Sequence, residues 1–163
     1  MRIEDSRIDV PNAGLCFPEL EDGDLRLEFK ELAPHPVHKT PAYQFRMVSA
    51  QTAEELGNIN LRLGSTPHIE LYAGHIGYTV HPRYRGRRYA ARSVRLIVPI
   101  ARRLGFQELW ITCDPENAAS RRSAELAGAE FVEIVDVPEN CIIHRSGHKR
   151  KCRYRLDLRS RAE

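Results

Sequence analysis

Two periodicities divide this chain. From Leu25 onward, apolar residues alternate with polar ones: Leu25, Leu27 and Phe29 are interleaved with Arg26, Glu28 and Lys30. A period of two predicts a strand with one buried face. Tyr43, Phe45 and Met47 repeat the pattern and predict a second strand over 43–49. Leu56, Ile59, Leu61 and Leu63 predict a third, with Gly57 and Asn58 marking a bulge in it. Gly64-Ser65-Thr66-Pro67 closes that hairpin. Ile69 and Leu71 then lead into a central strand that carries Ile76, Tyr78 and Val80. Short turns between strands in meander order predict an antiparallel half-sheet.

The period then changes. Ala90, Val94, Ile97, Ala101 and Leu104 recur three or four residues apart and build one apolar helical face. The predicted central helix spans 86–104. Interior Pro99 removes one backbone bond and predicts a kink, and Gly105 supplies the stop. Residues 108–113 form a short apolar run, so a strand, a helix and a strand follow in order, and their pairing is expected to be parallel. Asp114-Pro115-Glu116-Asn117 is a cap-rich turn that opens a second helix over 117–127. Residues 129–137 and 152–158 close the chain as a β-hairpin. Pro34, Pro36 and Pro41 exclude a helix between the first two strands. Residues 1–24, broken by Pro11, Gly14, Pro18 and Gly23, read as an irregular arm, and 25–163 as one domain.

Composition narrows the class. A hydrophobic share of 42% supports a sizeable core. A net charge of +3 favours anionic ligands without requiring nucleic acid. Four cysteines (Cys16, Cys113, Cys141, Cys152) are too few and too scattered for a disulfide scaffold. Neither a charged-then-apolar leader nor an apolar run of bilayer length is visible, so a cytoplasmic protein with no membrane association is expected.

The candidate chemistry begins after Val80. Pro82 ends the ladder, a basic turn follows (Arg83, Arg85, Gly86, Arg87, Arg88), and the helix starts at once. The first turn of a helix leaves N–H groups unpaired and carries partial positive charge. A strand, a turn of amides and a helix N-terminus make an anion cradle suited to a phosphate or pyrophosphate. Taken on charge alone, the same turn also reads as a solvated surface or a nucleic-acid patch.

The run from Val80 to Ala90 resembles the acetyl-CoA signature of the GNAT N-acetyltransferases, Gln/Arg-x-x-Gly-x-Gly/Ala after a strand ending near Val-x-Pro. Arg85 takes the first position and Ala90 the last, while Arg88 stands where the family usually has glycine. Asn117-Ala118-Ala119-Ser120, followed by Gly128, is similar to the family's second helix. The resemblance covers 25–158. It implies an α/β (α+β) fold with a mixed sheet of about seven strands. The family's usual first two helices are missing. Their wall of the acceptor site is then left to the N-terminal arm or to a second subunit in a homodimer.

The resemblance further implies acetyl-CoA as acyl donor and a primary amine as acceptor. Amides and side chains of Arg85, Gly86, Arg87, Arg88, Tyr89 and Ala90 would hold the pyrophosphate. Backbone groups of Tyr78 and Val80, with Asn117 and Ser120, would face the pantetheine arm. The family's frequent tyrosine acid falls at Ala124, so that acid is absent. The base is sought at the start of the central strand, where His75 is the first choice and Glu70 the second. A module that holds acyl-CoA without chemistry is the alternative, and nucleic acid is disfavoured. The spacing Cys141, His144, His148, Cys152 suits a zinc site, but the flanking Arg145, Lys149, Arg150 and Lys151 oppose a cation, and no metal is expected.

Overall fold

The computed structural model describes residues 20–34 and 38–159. Positions 1–19 of the expected arm, with Cys16, and Pro36 of the proline segment lie outside the described residues. The N-terminal sheet has five antiparallel strands in sequence order. These are β1 (Glu21–Asp22), β2 (Leu25–Pro34), β3 (Pro41–Ser49), β4 (Glu55–Arg62) and β5 (Ile76–Val80). Helix α1 (Tyr89–Arg103) leads to β6 (Glu108–Cys113), and α2 (Ala118–Leu126) to β7 (Glu130–Asp136). One turn of helix, α3 (Ile142–Arg145), precedes β8 (Arg150–Asp157). The second sheet is antiparallel in the order β6-β8-β7.

Alternation does the work foreseen for it. Leu25, Leu27, Tyr43, Phe45, Met47, Ile59 and Leu61 form one buried face, and Val94, Ile97, Ile100 and Ala101 of α1 join the same cluster. Leu109, Ile111, Cys152, Tyr154 and Leu156 extend it into the second sheet. The opposite face of the large sheet is polar. Arg26 pairs with Glu28 at 3.0 Å, Arg46 with Glu55 at 3.4 Å and His81 with Glu55 at 3.0 Å. Such half-exposed pairs add little stability, but they give the face a surface that water can cover. β2 and β3 pair directly, with Pro34 opposite Pro41. On β7, the outer strand of the small sheet, Phe131, Val132 and Ile134 are exposed.

Three local features differ from expectation. Residues 69–73 make a single π-helical turn, closed by the Gly74 N–H on the Ile69 carbonyl at 2.6 Å. Thr66 starts that turn by accepting the Ile69 N–H at its hydroxyl, so Ile69 and Leu71 do not alternate in a strand. Helix α1 begins at Tyr89 rather than 86, because Gly86 and Arg88 have φ of +90° and +63°. It ends on a Schellman pair, Phe106 N–H to Ala101 O and Gly105 N–H to Arg102 O.

The third difference decides the site. Between β5 and β6 there is no ladder, only the backbone bond from His75 N–H to Trp110 O at 2.7 Å. The expected parallel pairing is replaced by a V, closed at the start of β5 and open toward its end. Gly74 sits at the closed point with φ +80° and ψ 160°, a conformation that essentially only glycine adopts. A Cβ there would lie 3.1 Å from both Thr112 N and Trp110 O. Gly74→Ala is therefore expected to destabilise the protein by about 3 kcal/mol, from backbone strain plus crowding. Urea unfolding measures this, and a loss under about 1 kcal/mol would contradict the assignment.

Candidate active site

Two clefts meet inside the V. One lies over the basic turn and is lined by Tyr78, Val80, Arg85, Gly86, Arg88, Ala90, Asn117 and Ser120. The other lies toward the closed end and is lined by Arg62, Tyr72, Gly77, Tyr78, Thr112, Ser120, His148 and Lys151. Tyr78 and Ser120 belong to both.

The first cleft has the features of an anion cradle. Among the described residues the N–H groups of Gly86 through Ala91 take no backbone partner, and no side chain caps α1. Arg88 supplies the left-handed residue before the helix, a conformation that costs a non-glycine residue about 1 kcal/mol. Arg85 donates from Nε to the Val80 carbonyl at 3.0 Å, which fixes the turn against the strand. Tyr89 is buried, and its hydroxyl donates to Asp24 at 2.7 Å, so that side chain points away from the cleft and leaves only its amide available. Arg92 bonds Asp22 and Asp24 at 2.9 and 2.8 Å, which anchors the helix start from behind.

The open edge of β5 is set by parity. Arg62 N–H bonds the His75 carbonyl and His81 N–H bonds the Leu56 carbonyl, so the odd-numbered residues face β4. Antiparallel pairing then turns the backbone groups of Ile76, Tyr78 and Val80 toward the V. The Tyr78 ring crosses the gap. Its hydroxyl donates to the Ser120 carbonyl and lies 3.2 Å from the Ser120 hydroxyl. Burial pushes its pKa up to about 12, against the opposing hydrogen bond from Ser120. Asn117 caps α2 by accepting the Ser120 N–H at 3.0 Å.

His75 has a different place from the one expected. It is 1% exposed. Its Nδ1 accepts the Trp110 N–H at 2.9 Å, and its Nε2 lies 2.9 Å from the Ser65 hydroxyl. A backbone N–H can only donate, so the proton sits on Nε2 and neither nitrogen has a free lone pair. Burial, and then the charge of Arg62, push its pKa down to about 4. Glu70 lines the same outer cleft as His75, beside Glu108 and Arg159, not the V. Its pKa is raised by burial and by Glu108. In this geometry neither side chain presents a proton acceptor to the V.

A pair that sequence reading did not assemble stands in the inner cleft. His148 Nδ1 donates to Asp114 Oδ2 at 2.7 Å, and Lys151 Nζ lies 3.1 Å from Asp114 Oδ1. Burial opposes ionisation of Asp114, but the bonds from His148 and Lys151 outweigh it and hold its pKa low. His148 was read as a metal candidate and Asp114 as a helix cap. Only the pairing of β6 with β8 brings them together. The other members of the Cys141/His144/His148/Cys152 spacing disperse. Cys141 Sγ lies 3.8 Å from His68, and Cys152 is buried opposite Cys113. Among the described residues no metal-holding group of His, Cys, Asp or Glu forms. Among them, too, no helix is long and apolar enough to cross a membrane.

Comparison with known proteins fits this geometry. The family model described as an acetyltransferase (GNAT) domain matches residues 18–130. A GNAT-family acetyltransferase structure from Bacillus anthracis is 19% identical, with a TM-score of 0.58 over 72% of this chain and 67% of that one. A structure from Chromobacterium violaceum assigned to the same family is 14% identical, with a TM-score of 0.61 over 86% of each chain. RimL, a ribosomal L7/L12 alpha-N-protein acetyltransferase solved with coenzyme A, is 16% identical, with a TM-score of 0.55. That match covers 71% of this chain and 62% of RimL. At these identities the likeness is one of fold. No curated protein matches the chain in sequence.

A histidine buried neutral links stability to pH. The unfolded state binds a proton near pH 6.5 and the folded state only near pH 4, so stability is complete above pH 6.5 and falls as pH drops toward 4. The loss from His75 should total about 3 kcal/mol. Unfolding at pH 7.5 and 4.5 measures it, and His75→Gln should flatten the difference. In folded His75→Gln, turnover should fall less than about tenfold, whereas loss of a general base would cost about 10²–10⁴-fold.

Proposed function

The chain belongs to the GNAT acetyltransferase family, and on that premise we propose that it moves an acetyl group from acetyl-CoA to a primary amine by direct attack on the thioester. The observation that carries the reading is the junction at Tyr78 and Ser120. An anion cradle opens on one side of it and a polar cleft with an oriented histidine on the other. Free amides of Gly86–Ala91, with Arg85 and Arg88, receive the pyrophosphate. The outward backbone of Ile76 and Tyr78, with the Val80 N–H, takes the pantetheine as an added strand, the Val80 carbonyl being held by Arg85. An amide of that edge faces the thioester oxygen and stabilises the oxyanion.

His148 is the base in this reading. Asp114 holds its Nδ1–H, which makes Nε2 the nitrogen with a lone pair for a proton, and His148 lines the cleft. A primary amine with pKa about 10.4 arrives protonated and must lose that proton before attack. Tyr78 takes over what Ala124 cannot supply. Its hydroxyl reaches α2 at Ser120, one turn before Ala124, from the opposite wall. With its pKa near 12 it stays protonated and donates a hydrogen bond to the departing thiolate. The empty position at Ala124 also suits the second reading, a module that holds acyl-CoA without transfer.

Three measurements test these assignments. Calorimetry with acetyl-CoA should show binding, and Arg85→Glu with Arg88→Glu should weaken it at least about tenfold while the fold survives. Unchanged affinity would remove the cradle. Thiol release with a broad amine panel should show turnover; binding without it would favour the module. His148→Ala should bind acetyl-CoA normally and lose about 10²–10⁴ in kcat. Wild-type turnover would return the base to a water chain.

A further inference from the structure

Arg62, the last residue of β4, carries a buried charge that no described residue neutralises. It is 7% exposed and lines the inner cleft. One nitrogen, Nη1, donates to the Ala73 and Gly74 carbonyls at 2.8 and 2.7 Å. Its Nε is enclosed without a hydrogen-bond partner. Among the described residues no carboxylate comes within ion-pair distance of it, and burial alone moves its pKa, down to about 10. At neutral pH it is still a cation. Its field reaches His68 and His75, where it adds to burial in lowering both.

The neighbouring cations are treated differently. Lys151 and His148 share Asp114, and Arg153, also nearly buried, holds Glu133 at 2.6 Å. Buried charges are ordinarily paired, because an unpaired one forfeits its hydration with nothing in return. A structural role for Arg62 accounts for Nη1 and the π turn, but not for the rest of the fork. Gly77 makes room for that fork: a Cβ there would fall 2.7 Å from Nη2.

We infer that Arg62 is the subsite for an anionic group, a carboxylate or a phosphate, carried by the amine acceptor. The inference rests on reading the inner cleft as the acceptor side. It names the substrate class as an amine bearing negative charge near its nucleophile, for which Nη2 of the guanidinium remains as charged donor. The same positive field disfavours a protonated amine beside it, which eases the task of the base.

The test uses acceptors in matched pairs that differ only in the anion: amino acids against their amides, and phosphoethanolamine against ethanolamine. The wild type should show kcat/KM at least about tenfold higher for one anionic series or both, and the favoured series identifies carboxylate or phosphate. Arg62→Gln should collapse that ratio toward one, and the wild-type ratio stands as evidence whether or not the variant folds. Equal or reversed preference in both series overturns the inference. If acetyl-CoA binds and no amine is acetylated, the transfer reading fails and the subsite is decided separately. Acetate and inorganic phosphate are then titrated into the CoA-loaded wild type by calorimetry. Saturable binding of either supports the subsite, and absence of binding for both overturns it.

Discussion

The geometry of this molecule depends on how two strands are allowed to part. Both backbone groups of Trp110 are claimed by one residue: its carbonyl accepts the His75 N–H, and its N–H donates to the His75 ring. Thr112 adds a bond from its hydroxyl to the Tyr72 carbonyl. These contacts pin the start of β5 to the middle of β6 with side chains where a ladder would otherwise run. Beyond them the strands diverge, and the edge of β5 is left unpaired. An unpaired edge in a dry interior would be costly. Here it borders a cleft lined by Tyr78 and Val80.

Charge is distributed to suit the same opening. At its outer mouth the helix dipole, free amides and arginines all favour phosphate. Carboxylates stand behind that mouth, on Asp22 and Asp24, not in it. At its inner end Asp114 steadies His148 and Lys151, while Arg62 lines the cleft with no counter-ion among the described residues. The two ends therefore differ in kind: one offers amides and arginines to an anion, the other an oriented histidine and a buried guanidinium.

Much of this could be read along the chain, and the reasons are local. The alternation from Leu25 to Leu61 and the three-four spacing from Ala90 to Ala101 report directly on which face is buried. The absence of helices between the first two strands follows from proline geometry. The basic turn ahead of α1 was legible because a turn, glycine and helix start are consecutive. The burial of His75 and the outlying place of Glu70 were not, because both were judged by sequence distance from the thioester. Whether a histidine is basic depends on what its two nitrogens touch, and Ser65 and the Trp110 amide come from distant segments. Asp114 and His148 lie 34 residues apart and meet only through sheet pairing. Tyr78 was credited with its backbone alone, since nothing local shows that its ring reaches α2. Arg88 was noted as a departure from glycine. Its left-handed backbone explains why glycine would suit the position and shows that arginine fills it at a modest cost.

The ties from Asp22 and Asp24 to Tyr89 and Arg92 carry a consequence for recognition. These bonds clamp the first turn of α1 to the first hairpin. Little conformational entropy remains to be lost there when a pyrophosphate arrives. Affinity at this end then reflects the match of oxygens to amides and guanidinium groups, rather than the folding of a loop. Ligands sharing the diphosphate should dock with similar ordering entropies however their acyl groups differ.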